Sequence, residues 1–413
     1  MSHTSRTRVT SVLAFLVVSF VFIIYWWDRT GFSVELIEIR KAYGFSEPTA
    51  GLLSSIFVLG LALVSIPAGV LVLRVGIHRS LVAGTIVFSL ATAYTAFAHG
   101  FADMMAARIV TGVGEGMFNV AVYTYLGSIT LRHRGASIGY TGFLVGVGGF
   151  TGPLVVAAAL GGTGSWQVAF LILAAAGLVG AVLLVLARRR LAASADDRPD
   201  PAAERMPTGA AFRSVLRPWF VPIAVTMLVA GYLAYANIAA YESFLRGAHH
   251  FSLGLASLIV SMGGIGQLVG SVPLGHWADR TGRKFALLWS LPLAGLLMSA
   301  QYWAPGAPLL LGVLTFLTGP VNVNVYNQAY ATVQDFVPRA ARPVAVGTVA
   351  VFFFAGGGFA GYIFLAVAGT LGSYATASIA GFLVPALVAA ALVAAVFPRA
   401  AAARTYTDQL ENA

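Results

Sequence analysis

Apolar stretches of about twenty residues, separated by short polar connections, recur along the whole chain. A helix needs about that length to cross the hydrocarbon core of a bilayer. The pattern predicts helices at 9–37, 50–73, 79–98, 101–127, 135–160 and 164–187, then at 217–243, 253–277, 284–303, 307–332, 343–370 and 373–397. The stretches are continuous rather than alternating, which argues for helices and against a membrane barrel. The first apolar run, Val9 to Trp27, follows Arg6 and Arg8 as in a signal peptide. It is too long for such a segment, and no small-residue cleavage site follows, so it is expected to be the first membrane helix.

One long hydrophilic stretch interrupts the pattern. It begins at Arg188-Arg189-Arg190 and continues through Asp196, Asp197, Pro199, Asp200, Pro201, Glu204 and Pro207. Its composition reads as a flexible linker. The expected organisation is an N-terminal six-helix bundle over 1–187, a linker over 188–216, and a C-terminal six-helix bundle with a short tail over 217–413. Two halves of equal helix number mark a duplicated membrane fold.

Composition agrees: 58% of the residues are hydrophobic and 10% are charged, against roughly 25% charged in soluble domains. The lack of cysteine excludes disulfides and thiolate metal sites. A net charge of +10 could suggest a nucleic-acid partner. The arginines, however, sit in short loops, at Arg74 and Arg79, Arg132 and Arg134, Arg280, Arg283 and Lys284, Arg339 and Arg342, and Arg399 and Arg404. That is a topology signal. It predicts both termini in the cytoplasm of a multi-pass protein in the inner (plasma) membrane, with no nucleic-acid partner. No nucleophile–base set, metal cluster or phosphate loop is evident, so neither an enzyme nor a cofactor is expected.

After the eighth predicted helix comes Gly275-His-Trp-Ala-Asp279-Arg280-Thr-Gly282-Arg283-Lys284. This resembles the signature loop of the major facilitator superfamily. The glycines allow a tight turn, and Asp279, Arg280 and Arg283 are expected to latch one conformation by facing the neighbouring bundle. The equivalent loop of the first half, Gly69 to Arg79, keeps glycines and arginines but carries Leu73 at the aspartate position. The fifth predicted helix carries Gly148-Gly149-Phe-Thr-Gly152-Pro153, similar to a glycine–proline motif of antiporters; close helix packing is its plainer reading.

Few ionisable residues fall inside the predicted helices, and such residues are usually functional. The first helix holds Asp28, Arg29 and Glu35, and the fourth holds Arg108 and Glu115. Arg108 and Glu115 are seven positions apart, as are Asp28 and Glu35, so each pair shares a helix face. If both faces look into a central cavity, acids and bases cluster there, and a carboxyl among them can take up and release a proton. A buried ion pair that merely holds the bundle is the alternative. Glu242, near the end of the seventh helix, reads as an interfacial residue.

Trp27-Asp28-Arg29 followed by Arg108-x-x-x-Gly112-x-Gly114-Glu115 resembles the anion:cation symporter family of organic anion:proton carriers. The resemblance implies the twelve-helix major facilitator fold. It also implies that Arg29 binds a substrate carboxylate, that Asp28 and Glu115 take part in proton coupling, and that Arg108 is their charge partner. The second half has no membrane-embedded Lys or Arg, which favours a monoanion over a dianion. Trp26, Asn119, Tyr123, Tyr232, Tyr235, Asn324 and Gln328 are the other candidate substrate contacts. Phe352-Phe353-Phe354 before Gly356-Gly357-Gly358 reads either as an aromatic wall beside a hinge or as lipid-facing packing. The expected function is proton-coupled uptake of a small organic monoanion such as a monocarboxylate by a monomer. The alternatives are proton-coupled export of drugs, metabolites or lysolipid, and a transporter-like membrane sensor.

Overall fold

A computed structural model describes residues 3–129, 134–189, 207–337 and 341–397. Residues 190–206 of the linker, the tail from 398, and Arg132, Arg190, Arg339, Arg399 and Arg404 lie outside the described residues, as do the side chains of Leu73, Arg134 and Arg342.

The described chain is helical throughout. The first half comprises α1 (His3–Tyr43), α2 (Glu47–Ser55), α3 (Phe57–Val75), α4 (Ile77–Thr95), α5 (Phe101–Ile129), α6 (Arg134–Thr163) and α7 (Trp166–Leu186). A short α8 (Thr208–Val215) leads into the second half. There follow α9 (Phe220–Gly247), α10 (Leu253–Thr281), α11 (Arg283–Trp303), α12 (Pro308–Asp335), α13 (Arg342–Gly358), α14 (Ala360–Leu371), α15 (Tyr374–Ser378) and α16 (Val384–Val396). Here α2–α3, α13–α14 and α15–α16 each form one interrupted span. Ten spans among the described residues are long and apolar enough to cross a membrane. α4 and α5 complete the twelve; α5 carries the buried charges Arg108 and Glu115.

The interruptions have local causes. The α2–α3 span is broken only at Ile56, which keeps right-handed helical angles, and Ser46 caps the start of the span, its hydroxyl accepting from the Thr49 amide. The α13–α14 span breaks at Phe359, directly after the three consecutive glycines. A π-helical segment, Ile379–Leu383, precedes Pro385, which cannot donate to the carbonyl one turn back.

The duplication is visible in the turns. Gly76 joins α3 to α4 with φ 88° and ψ 160°, and Gly282 joins α10 to α11 with φ 92° and ψ 149°. Only glycine adopts that region readily. The two turns therefore have the same backbone at the same place in each half.

The halves meet along two seams, α6 against α10 and α2–α3 against α13–α14. Both are lined by glycine. A Cβ on Gly264 would overlap the backbone of Phe150 and Gly149, and one on Gly361 would overlap the Gly51 carbonyl. The glycine–proline motif of α6 serves both sides of the helix: Gly148 and Gly152 pack on Trp26, Trp27 and Thr30 of α1 in the same half, while Gly149 faces Gly264 of the other half.

Within the first half, the glycines of α5 set its depth. Gly112 lies against the Phe57 carbonyl and Gly60 of α3, and Gly114 lies against Phe88 and Gly84 of α4. These close approaches sink Arg108 and Glu115 into the bundle, where neither side chain is exposed.

Candidate functional site

A cavity of about 160 Å³ lies between the halves, walled by residues of α1, α5, α6, α9, α10, α11, α12 and α13. Arg29 enters it from the middle of α1. Its Nε donates to Glu115 Oε2 at 2.8 Å, and its Nη1 donates across the halves to the Tyr235 hydroxyl at 3.1 Å. The guanidinium lies 3.9 Å from the Tyr25 ring centroid, a favourable cation–π distance. Nη2 has no hydrogen-bond partner in the protein.

Asp28 is adjacent in sequence but, one residue along a helix, it points about 100° away. It faces α4 and α5 instead of the cavity. Arg108 Nη1 donates to Asp28 Oδ2 at 3.0 Å, and Thr92 Oγ1 donates to Oδ1 at 2.8 Å. The Phe32 and Phe57 rings flank the Arg108 guanidinium at 4.4 and 4.5 Å. The four charges therefore form two ion pairs between helices, Arg29–Glu115 and Arg108–Asp28. The expected single cluster in the cavity is corrected: only Arg29 of the four lines it, and Arg108 pairs with α1 rather than with Glu115 on its own helix. Glu35 lies two turns beyond Asp28, fully buried, with neither carboxylate oxygen hydrogen-bonded.

Among the neutral candidates, Trp26, Asn119, Tyr123 and Tyr235 line the cavity. Asn119 Nδ2 donates to the Tyr25 hydroxyl at 2.6 Å, and Tyr123 stacks on Tyr330 of the other half. Tyr232, Asn324 and Gln328 do not line it. Tyr232 lies three residues before Tyr235 and faces Gly381, in the π-helical stretch before α16. Gln328 Nε2 donates to Asn324 Oδ1 at 3.0 Å, and Gln328 Oε1 accepts from Arg283 at 2.8 Å. The polar pair of α12 thus anchors the signature loop. The polar residues that α12 turns to the cavity include Thr315, Thr318, Asn322, Tyr326 and Asn327.

The sequence reading also missed a polar chain on the second half. Tyr302 donates to Asn237 Oδ1 at 3.0 Å, Asn237 Nδ2 to Gln301 at 3.3 Å, and Gln301 Nε2 to Thr318 at 2.8 Å. Glu242, read as interfacial, lines the cavity and is 1% exposed. Phe353 lines the cavity and Phe354 is buried 5.7 Å from the Arg29 guanidinium. Both form an aromatic wall rather than a lipid-facing surface.

The signature loop is tied into its own half. Arg283 pairs with Asp279 at 2.7 Å and with Asp335 at 3.6 Å, while Arg280 is exposed and Gly275 has open space around it. Among the described residues, Asp279, Arg280 and Arg283 make no hydrogen bond or ion pair to the other half; residues 130–133 and the side chain of Arg134, in the α5–α6 connection of the first half, lie outside the described residues. The charge clamp between the halves lies on the opposite face. Arg246 of α9 donates to Glu38 of α1 at 2.6 and 3.3 Å and to the Val34 carbonyl at 3.1 Å. Tyr374 donates to Glu47 of α2 at 3.0 Å on the same face.

A twelve-helix, two-half architecture of this kind is shared with known carriers. Residues 18–247 and 223–412 match the sequence pattern of the Major Facilitator Superfamily. The chain belongs to that superfamily. It is a multi-pass membrane transporter and not an enzyme. Among curated relatives, it is 24% identical over 329 residues to a probable L-galactonate transporter of Escherichia coli (strain K12), covering 73% of this chain and 70% of that one. It is 30% identical over 174 residues to a hexuronate transporter of Bacillus subtilis (strain 168), 40% of each chain. The transporter also superposes on the crystal structure of a bacterial homolog to the human lysosomal transporter Spinster. The TM-score is 0.70 and the identity 16%, over 97% of this chain and 98% of that one. That likeness concerns the fold.

The chain has no native cysteine, so single introduced thiols report conformation directly. With Ile238→Cys in the cavity wall, Arg246→Ala is expected to raise the rate of thiol labelling by an impermeant reagent on the clamp face at least ~5-fold, because it removes an interface ion pair. An unchanged rate would show that the clamp does not close that face.

Proposed function

We propose that this transporter imports a small organic monoanion together with protons, by alternating access. One observation carries the reading: Arg29 stands in the cavity wall with Nη2 unpartnered, and no other basic side chain lines the cavity among the described residues. A guanidinium offers a fork that fits one carboxylate. Neutral donors on the facing half, Asn237, Gln301, Asn322 and Asn327, suit the rest of such a molecule. The relatives named for galactonate and hexuronate support an organic anion as cargo.

Proton coupling follows from the competition for Arg29. Glu115 holds it while the cavity is empty. An entering carboxylate shares or displaces that bond, leaving Glu115 buried with less compensating charge. Protonation of Glu115 then becomes favourable. Asp28, paired with Arg108 behind the cavity wall, is the second candidate proton carrier. In this reading the signature-loop face and both termini are cytoplasmic, and the Arg246–Glu38 clamp closes the outer face. The rest of the chain lies in the inner membrane with the basic loops inside, as the loop arginines favour.

The test uses proteoliposomes holding a pH dye. Adding galactonate or hexuronate outside is expected to acidify the lumen in wild type. Glu115→Gln is expected to cut this proton entry at least ~10-fold while keeping exchange of labelled substrate within ~3-fold, since exchange needs no net proton movement. Luminal alkalinisation instead of acidification would identify an antiporter. No pH change alongside net uptake would remove the proton from the mechanism.

A further inference from the structure

Glu242 has no part in the mechanism above, yet it shares the cavity with Arg29. Its side chain is 1% exposed. Ser257 Oγ donates to Oε1 at 3.2 Å, and Oε2 has no hydrogen-bond partner. We propose that Glu242 receives a cationic group of the cargo, which keeps the single carboxylate held by Arg29 but replaces the plain monoanion above by a zwitterion with an ammonium group at its other end. This rests on the reading that Arg29 holds the carboxylate.

The charges around the cavity support it. Arg29 is balanced by Glu115 at 2.8 Å. Arg246, one turn from Glu242 on α9, is committed to Glu38 and the Val34 carbonyl. Glu242 therefore faces the cavity with a single hydroxyl as its hydrogen-bond partner, and with Arg246 only as a more distant charge already paired elsewhere. A buried carboxylate so poorly compensated is costly, and the cost falls if the missing partner arrives with the cargo. A plain carboxylate brings no donor and a second negative charge. A hydroxyl brings one donor and no charge. An ammonium group brings three donors and the opposite charge. The neighbouring Tyr241 also lines the cavity, and an aromatic side chain suits such a cation.

Spacing narrows the class further. Tyr235, which Arg29 holds, and Glu242 are seven residues apart on one helix, about 10 Å of rise. The two poles stand at different depths, so the charges of the cargo are separated by several bonds. An ω-amino acid fits better than an α-amino acid.

The experiment measures binding to the purified full-length protein with four probes: hexanoate, 6-hydroxyhexanoate, 6-aminohexanoate and hexylamine. Wild type is expected to bind 6-aminohexanoate at least ~10-fold more tightly than hexanoate, as expected for pairing a desolvated charge. Glu242→Gln is expected to abolish that preference and the hexylamine binding, while hexanoate affinity stays within about twofold. Retained hexanoate binding also shows that the variant is folded. If the Gln variant does not fold, Glu242→Asp retracts the charge by one methylene and is expected to weaken the amino probe several-fold. Equal binding of hexanoate and 6-aminohexanoate by wild type, a preference for the hydroxy probe, or unaltered amine binding in the variant would overturn the proposal. Failure of the underlying reading looks different: hexanoate then binds Arg29→Ala as well as wild type, or not at all, while hexylamine still reports on Glu242.

Discussion

Substrate uptake by Arg29→Ala is expected to fall about 100-fold or more, the loss anticipated when the one charge-assisted anchor of a buried carboxylate is removed. Two effects combine. The carboxylate loses its guanidinium, and Glu115, now unpaired at 0% exposure, is left without its 2.8 Å partner. Arg29→Lys separates them. A lysine keeps the charge beside Glu115 but cannot give Nε to Glu115, Nη1 to Tyr235 and Nη2 to the cargo at once. It should therefore fold normally and transport at an intermediate rate with a raised KM. Initial uptake rates, normalised to folded protein, provide the measurement. Uptake by Arg29→Ala within threefold of wild type would remove Arg29 from the site.

The second large effect concerns stability. Asp28→Ala should destabilise the protein by about 3–5 kcal/mol, because it strands Arg108 as a buried, uncompensated charge. Arg108 is fully buried between the Phe32 and Phe57 rings. Arg108→Met restores most of that loss when combined with Asp28→Ala, since a thioether fills the slot without charge. Thermal unfolding of the two single variants and the double variant closes the cycle. The double variant also separates structure from transport. If it is stable but no longer couples uptake to protons, the pair carries the proton function. If it transports with normal coupling, the pair is a structural tie alone.

The spans could be read from the apolar runs because a bilayer demands about twenty residues per crossing, and the turn at Gly282 was marked by its motif. Pairing of the charges was not legible. Spacing on one helix groups Arg108 with Glu115, but each finds its partner on α1, and only the packing of α1 against α5 decides which. The polar face of α12 was ambiguous for a similar reason. It carries two adjacent stripes, Asn322 with Tyr326 and Asn324 with Gln328, and the second is taken by Arg283 of the signature loop. Glu242 looked interfacial because it lies near a helix end, yet α9 continues to Gly247 and places it one turn inside the clamp. The glycines of α5 were legible as part of a motif, but their physical role, sinking two charges against α3 and α4, required the neighbouring backbones.

The contact between α6 and α10 has a kinetic meaning. Main chain lies on main chain there, at Gly146, Gly149 and Gly264, so no ridges of side chains must disengage when one half turns against the other. Friction at this joint is set by smooth surfaces rather than by teeth. A methyl group on Gly264 would wedge the two backbones apart at a point that also lines the cavity, and would act as a brake on turnover.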